Sequence, residues 1–141
     1  MIEAVELRRV SLPLITPFRT SFGTEVVRDA LLVHLLASDA EGWGECVAMS
    51  EPRYSPEYVD GAHEVIRRWL VPMLFAQGRA GPGAEAAGGA GIGSAAGVVR
   101  GHPMARAAVE AAVTDARLRA QGTSLASHLG GERTMVDVGV S

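Results

Sequence analysis

The sequence contains no lysine, since all thirteen of its basic residues are arginine. A guanidinium group stays protonated under nearly all conditions, so it is a poor proton shuttle. A mechanism that needs a lysine base or a lysine Schiff base is therefore excluded for this chain by itself. Long basic runs are also absent, because no more than two arginines are adjacent and the net charge is −3. Nucleic-acid binding through a phosphate-neutralising patch is accordingly disfavoured.

Cysteine and long apolar runs are equally scarce. The single Cys46 cannot form an internal disulfide, which favours a reducing, cytoplasmic location. The longest apolar run, residues 69–76, is interrupted by Pro72 and is too short to cross a bilayer. The N-terminus lacks the basic start and apolar core of a signal peptide. We therefore expect a cytoplasmic protein with no membrane partner, and its 141 residues indicate one domain with a real core.

Three segments show the alternation of apolar and polar residues that is typical of strands: 2–14, 29–37 and 43–48. A change of phase at Arg8-Arg9 predicts a bulge or a bend there, and Pro13 and Pro17 are expected to end regular pairing. Apolar residues on both sides of the second segment indicate a central strand. The spacing predicts a three-stranded antiparallel meander within an α+β fold. His34 has no second ligand near it in sequence, so a structural role is favoured over metal binding.

Two connections attract attention. Residues 16–28 are rich in Pro, Gly, Ser and Thr and predict a loop, yet this loop carries Phe18 and Phe22. From position alone, these rings either fill the domain's own core or lie over a pocket, and neither alternative is preferred. A second loop, residues 49–54, carries Met49 and Tyr54 and leads into a helix.

That helix has Ser55 as its candidate N-cap, Pro56 in its first turn and Glu57 where the helix dipole favours an acid. An apolar stripe follows that should cover one face of the sheet, and Pro72 should kink or end the regular helix. The stripe comprises Tyr58, Val59, Ala62, Val65, Ile66, Trp69, Leu70, Met73 and Leu74.

A longer helix is predicted over residues 103–121, with Pro103 at its first position and Gly122 as its stop. Its interior is dominated by alanine, the best helix former. Small residues on one face allow a neighbouring element to approach closely. Asp115 lies on the same face, and a buried carboxylate needs hydrogen-bond donors. A packing carboxylate held by backbone N–H groups is favoured over a catalytic one. The face comprises Met104, Ala108, Ala111, Ala112, Asp115 and Ala116.

The segment 78–101 is a tract rich in Gly and Ala, which we interpret as a flexible insertion. Its Gly91-Ile92-Gly93-Ser94-Ala95-Ala96 matches a dinucleotide-binding fingerprint, but no apolar strand precedes it, so nucleotide binding is disfavoured. Beyond the long helix, residues 124–131 predict a short helical turn that glycines end. Residues 135–141 begin as an apolar strand, and a chain that stops there is expected to be a fragment.

The order of these elements resembles the start of an enolase-superfamily enzyme. Trp43-Gly44-Glu45-Cys46 is similar to the Gly-Glu strand of that superfamily's capping domain. Residues 17–24 and 45–52 resemble the o-succinylbenzoate synthase branch, which also contains N-acylamino acid racemases. The resemblance covers nearly the whole chain except the tract at 78–97, where the family usually has an ordinary helical segment.

The resemblance implies a capping domain over residues 1–132, with the Gly/Ala-rich insertion at about 78–97, and the start of a truncated (β/α)7β barrel over 133–141. It implies no catalytic and no metal-binding residue in this chain, because the family's lysines and its magnesium-binding carboxylates lie in the barrel. It implies that the cap loops close over the barrel mouth and expel water. The implied substrate-binding residues are Phe18, Phe22, Met49, Tyr54 and Ser141.

Several functions remain open at this point. The leading hypothesis is the cap of a magnesium-dependent synthase or racemase, present as a fragment that is inactive alone. Its partners would be the missing barrel and, in the parent, a small carboxylate substrate; the complete protein would be a homo-oligomer. A stand-alone binding or assembly module is the alternative from another class. A dipeptide epimerase or muconate cycloisomerase relative is less favoured, as is a dinucleotide-binding domain.

Overall fold

Three antiparallel strands form one sheet in the order β1-β2-β3 in the computed structural model, which describes residues 1–79, 99–133 and 135–139. Strand β1 spans Ile2–Thr20, β2 spans Gly23–Ala37 and β3 spans Glu41–Cys46. The central strand β2 pairs with β1 along most of its length and with β3 from Leu31 to Leu36. The predicted α+β fold with a three-stranded meander is confirmed, although β3 begins and ends two residues before the predicted strand.

Of the bulge or bend predicted at Arg8-Arg9, the bulge is wrong. The ladder is continuous there, with Arg8 opposite Leu32 and Arg9 opposite Leu31. The change of phase instead places later apolar residues on the face of the sheet that carries Glu6 and Arg8, where Leu12 is 52% exposed. The change of phase therefore reflects apolar residues on the sheet face that no helix covers, and not an extra residue in the strand.

The loop predicted over residues 16–28 is also wrong, because this segment forms the end of a long hairpin. Pairing fails between Pro13 and Phe18, where residues 14–17 of β1 face only Val26 of β2. It then resumes, with Phe18 opposite Glu25 and Thr20 opposite Gly23. Proline has no N–H to donate, so Pro13 and Pro17 interrupt the ladder as expected. They do not end the strand, because the chain beyond them recovers its partner.

The first helical segment consists of α1 (Val59–Val65), a π-helical turn (Ile66–Leu70) and α2 (Val71–Arg79). The start predicted at Ser55 is wrong. Helix α1 begins at Val59, whose N–H donates to the Met49 carbonyl at 2.8 Å, and the Ser55 hydroxyl donates to the Glu57 carbonyl at 2.9 Å. The π turn ends at Leu70, two residues before Pro72, so the predicted interruption occurs as a widened turn after which the helix continues.

Much of the predicted apolar stripe does cover the sheet. Its buried members are Val59, Ala62, Ile66, Leu70 and Leu74. Trp69 was expected to join them but is 60% exposed. It lies within the π turn, where hydrogen bonds run from residue i to i+5 and the turn is wider than that of an α-helix, so the straight-helix spacing no longer predicts the direction of Trp69.

Helix α3 spans Pro103–Ala120 and confirms the long predicted helix. Gly122, with φ of 62°, follows its end. Ala108, Ala112 and Ala116 are buried, as expected for the small face, whereas Ala111 is exposed and its assignment to that face is wrong. Ala111 lies one residue before Ala112, about 100° round the helix, so it points away from the sheet.

Helix α3 lies directly on β3, and two glycines make this approach possible. A Cβ atom at Gly44 would lie 1.9 Å from the Ala108 carbonyl oxygen, and one at Gly42 would lie 2.1 Å from that of Ala112. Helix and strand backbones are therefore in contact. The core lies between the sheet and the helices, with Leu31, Val33 and Leu35 of β2 at its centre.

A short helix, α4 (Leu125–His128), confirms the predicted turn, and its N-cap is Ser124, whose Oγ accepts from the Ser127 N–H at 3.1 Å. Residues 135–139 form no strand and are exposed, which contradicts the strand predicted there. A strand needs a hydrogen-bonded neighbour, and the described residues place none beside this segment. Residues 80–98 of the Gly/Ala tract, including the fingerprint at 91–96, and Ser141 lie outside the described residues. Within those residues, no helix is long and apolar enough to cross a bilayer.

Candidate functional site

Two of the predicted substrate-binding residues meet where the hairpin ends. Phe22 lies in the turn between β1 and β2, and its ring centroid is 5.7 Å from that of Tyr54, with the planes inclined by 37°. The Arg53 guanidinium donates from Nη1 to the Phe22 carbonyl oxygen at 3.3 Å. We call Phe22, Arg53 and Tyr54 the tip–loop junction. It brings together segments that are about thirty residues apart in the sequence.

The aromatic side chains at this end are not part of the domain's core. Tyr54 is 71% exposed and Phe18, which lies on β1 opposite Glu25, is 54% exposed; Phe22 is half-buried. Of the two alternatives left open by the sequence, burial in the core therefore does not apply to Phe18. Exposed aromatic surface is costly unless a ligand or another protein surface covers it.

Met49, another predicted substrate-binding residue, begins the second loop, which in the structure extends over residues 49–58. Its backbone forms an isolated parallel bridge with Tyr58, and its carbonyl accepts from the Val59 N–H. The two ends of the loop are thereby held together, while Tyr54 projects from its middle. Ser141 cannot be compared, because it lies outside the described residues.

Glu57 has a structural role that differs from the predicted one. Its carboxylate, 4% exposed by residue, accepts from the N–H groups of Met104 and Ala105 at 2.8 Å each. It therefore caps α3 rather than its own helix. The signal in the sequence was the missing cap: His102 occupies the N-cap position of α3 with φ of 52° and makes no side-chain cap. The first N–H groups of a helix have no acceptor within the helix, so without a local cap they need an acceptor from another part of the chain.

His34 has the structural role that was predicted. Its Nδ1 lies 3.2 Å from Glu6 Oε2 and its Nε2 lies 3.0 Å from Glu41 Oε2. The imidazole also stacks on Trp43, with centroids 3.9 Å apart and planes within 8°. Hydrogen bonds from Arg8 and then His34 hold the pKa of Glu6 below its ordinary value. These groups form a polar cluster on the sheet face opposite the helices.

Asp115 has the packing role that the sequence predicted, although it is partly exposed and binds one backbone N–H and an arginine rather than several backbone N–H groups. Its Oδ2 accepts from the Trp43 backbone N–H at 2.9 Å and from Arg119 Nε at 3.0 Å. The first bond fixes the register of α3 on β3, next to Gly42 and Gly44.

Replacing Asp115 with alanine is expected to lower the free energy of unfolding by about 1–2 kcal/mol, because the Trp43 N–H loses its acceptor. Urea denaturation followed by circular dichroism measures this loss. Glu110→Ala, on the same helix, is the control and should change little. An unchanged midpoint for Asp115→Ala would show that the bond to β3 is dispensable.

An open hollow of about 310 Å³ lies between the sheet and α1. Arg9 at its rim pairs with both Asp29 and Asp60, and hydrogen bonds from Arg9 and Ser11 lower the pKa of Asp29. Two carboxylates therefore face the single Arg9 guanidinium, and the hollow offers no free cation to an acidic ligand. None of its lining residues was a predicted substrate-binding residue. They are Leu7, Arg9, Leu31, Val59, Asp60 and His63.

Comparison with known proteins gives consistent matches over the whole chain. The family model for the mandelate racemase / muconate lactonizing enzyme N-terminal domain matches residues 2–130. The chain is 48% identical over 140 residues to an N-succinylamino acid racemase from Amycolatopsis sp. and 38% identical over 141 residues to an o-succinylbenzoate synthase from Geobacillus kaustophilus. Each match covers 99% of this chain and 36% of the relative, so the chain spans about a third of their length.

A solved structure of a probable mandelate racemase from Alicyclobacillus acidocaldarius shares the fold, with a TM-score of 0.83 and 37% identity. The match covers 94% of this chain and 35% of that one. The three-stranded sheet with its helices thus matches about a third of a larger protein of known fold.

Proposed function

Because the chain belongs to the mandelate racemase / muconate lactonizing enzyme family, whose N-terminal domain it matches, we propose that it is the capping domain of a magnesium-dependent o-succinylbenzoate synthase, an N-acylamino acid racemase, or an enzyme with both activities. The observation that carries this proposal is the tip–loop junction, an exposed aromatic surface built from two distant segments. The 48% identity to an N-succinylamino acid racemase supports the choice of branch.

In this proposal the cap shapes the substrate pocket and the barrel performs the chemistry. Phe18, Phe22, Met49 and Tyr54 would cover the barrel mouth, contact the acyl group of a small carboxylate substrate and keep water out. Ser141 would contact the substrate from the end of the first barrel strand. Apolar contacts of this kind discriminate between acyl groups by size, and one methylene is worth about 1–3 kcal/mol.

Magnesium would be bound by the barrel and not by this chain. The described residues contain no group of three His, Cys, Asp or Glu side chains placed to hold a metal. The tip–loop junction offers aromatic and guanidinium groups, whereas magnesium prefers carboxylate, carbonyl and water oxygens. The residues present at the candidate site therefore do not fit the metal, and the cap's part is to bind, orient and desolvate.

The proposed domain division places the cap at 1–132 and the beginning of the barrel at 133–141. Met135, Val136 and Val138 are large apolar residues that lie exposed, which supports their assignment to a neighbouring barrel. The barrel is the principal proposed partner, and the complete enzyme would be a cytoplasmic homo-oligomer. Without barrel lysines the chain alone is expected to be inactive.

A hybrid enzyme tests the function. Residues 1–132 replace the corresponding segment of the Amycolatopsis racemase, and both o-succinylbenzoate synthesis and N-succinylamino acid racemisation are measured with magnesium. We expect activity from the hybrid and none above background from this chain alone. A hybrid that folds and binds magnesium yet turns over neither substrate would refute the proposal, as would turnover by the isolated chain.

A further inference from the structure

We propose that Arg53 is a positioning residue that joins the hairpin end to the loop at 49–58, so that Phe22 and Tyr54 meet a substrate as one unit. This inference rests on the proposed function and deepens it, because it names what holds the substrate-covering surface in shape. Arg53 itself is not assigned a contact with substrate.

The hairpin end is weakly attached to the rest of the sheet. Four residues of β1, 14–17, face the single Val26, so the ladder is interrupted just before the end. Only a few backbone pairs, from Phe18–Glu25 to Thr20–Gly23, lie beyond the interruption. A short two-stranded ribbon of this kind is marginally stable in water without further packing. Its position therefore depends on contacts made outside the sheet.

The loop at 49–58 is the firmer of the two partners. The Met49–Tyr58 bridge closes it, the Val59 N–H donates to the Met49 carbonyl, and the carboxylate of Glu57, within the same loop, is fixed on the first turn of α3. The loop is thus attached to both helical segments. A hairpin end that is held by this loop takes its position from the helical layer.

Arg53 makes the polar part of that attachment. One terminal nitrogen donates to the Phe22 carbonyl while Nε donates to the Glu51 carboxylate, whose residue also accepts from the Arg53 backbone N–H. The planar guanidinium donates from two separate nitrogens in a fixed fork, whereas all the donors of an ammonium sit on one nitrogen. An exposed ion pair alone contributes little. Here the same side chain also bonds a carbonyl 31 residues away, and the adjacent Tyr54 contacts the ring of the same residue.

The first test measures the attachment in the full chain without reference to activity. Arg53→Ala is compared with Arg67→Ala, which removes a similarly exposed arginine whose carboxylate partner, Glu64, lies three residues away in the same helical segment. Nuclear Overhauser contacts between the Phe22 and Tyr54 rings, and amide exchange at Gly23 and Thr24, are recorded by NMR.

For Arg53→Ala we expect the ring contacts to weaken strongly and amide exchange at the hairpin end to rise about three- to tenfold, the change that losing one ordinary hydrogen bond produces. Arg67→Ala should change neither. Arg53→Lys retains the charge but not the fork, so it should restore only part of the ring contact. Ring contacts and exchange that are unchanged in Arg53→Ala would overturn the proposal.

The second test places the same substitutions in the hybrid enzyme. Arg53→Ala should raise KM about three- to tenfold with kcat changed far less, because the cap binds substrate while the barrel performs the chemistry. Arg67→Ala should leave both constants unchanged. If Arg53→Ala loosens the hairpin end but leaves KM unchanged in an active hybrid, the positioning role is refuted while the proposed function stands. An unsubstituted hybrid that folds and binds magnesium but is inactive refutes the proposed function and, with it, the role of Arg53 towards substrate.

Discussion

Replacing Gly44 with alanine is expected to lower the free energy of unfolding by more than about 3 kcal/mol, among the largest effects of a single methyl group. The new Cβ would lie 1.9 Å from the Ala108 carbonyl oxygen and 3.0 Å from the Ala112 backbone nitrogen. Both are backbone atoms of α3, so no side chain can rotate to make room. The helix would have to move off β3, and the buried Ala108 and Ala112 would lose their packing.

Urea unfolding followed by circular dichroism measures the effect, and Gly61→Ala is the matched control. A Cβ at Gly61 would approach Cε1 of Tyr58 at 3.0 Å, but that ring is partly exposed and can shift. Alanine also favours the helix over glycine by up to about 1 kcal/mol, so Gly61→Ala should be neutral or stabilising. A Gly44→Ala protein that unfolds at the same urea concentration as the parent would show that α3 does not rest on β3.

The sheet and the long helix could be predicted from local pattern because each follows a simple period. Alternating residues such as Leu31, Val33 and Leu35 identify a strand, and the alanines before Gly122 identify a helix. The contact between Gly44 and α3 could not be predicted in this way. It depends on the distance between two backbone segments that are far apart in the sequence, and a local hydrophobic pattern carries no information about that distance.

The errors at the hairpin end have a similar origin. Pro13, Pro17 and the surrounding small polar residues are typical of a loop, and local chemistry alone favours that interpretation. Pairing resumes at Phe18 because β2 continues on the other side, and this partner is visible only in the structure. Residues 18–20 are a strand because β2 pairs with them, and not because of their own composition.

The candidate site was predictable in composition but not in arrangement. Resemblance to the enolase superfamily pointed to Phe22 and Tyr54, yet nothing in either segment indicates that the two rings touch. Arg53 was not singled out at all, since an arginine in a polar loop is ordinary until its carbonyl partner is known. The sequence thus identifies candidate substrate-binding residues, whereas the contact between the two rings and the hydrogen bond from Arg53 are visible only in the structure.

Replacing Glu57 with glutamine is expected to lower the free energy of unfolding by about 2–3 kcal/mol, because hydrogen bonds to a buried charged group are worth more than neutral ones. The carboxylate offers two oxygens to the N–H groups of Met104 and Ala105, and it lies at the positive end of α3. Glutamine keeps the shape but turns one acceptor into a donor, so one buried N–H would face an NH2 group. Glu57→Ala should cost at least as much.

Chemical denaturation measures the loss, and Glu64→Gln is the control because Glu64 forms only exposed pairs with Arg67 and Arg68. An equal, small effect of both substitutions would show that α3 needs no cap from this loop.

The substitutions at Gly44 and Glu57 should also differ in how far from the substituted residue they alter the structure. Gly44 contributes only to the contact between α3 and β3, whereas Glu57 lies in the loop that also carries Tyr54. Glu57→Gln should therefore also speed amide exchange at Tyr54, well away from the helix that it caps, and a purely local cap would leave that exchange unchanged.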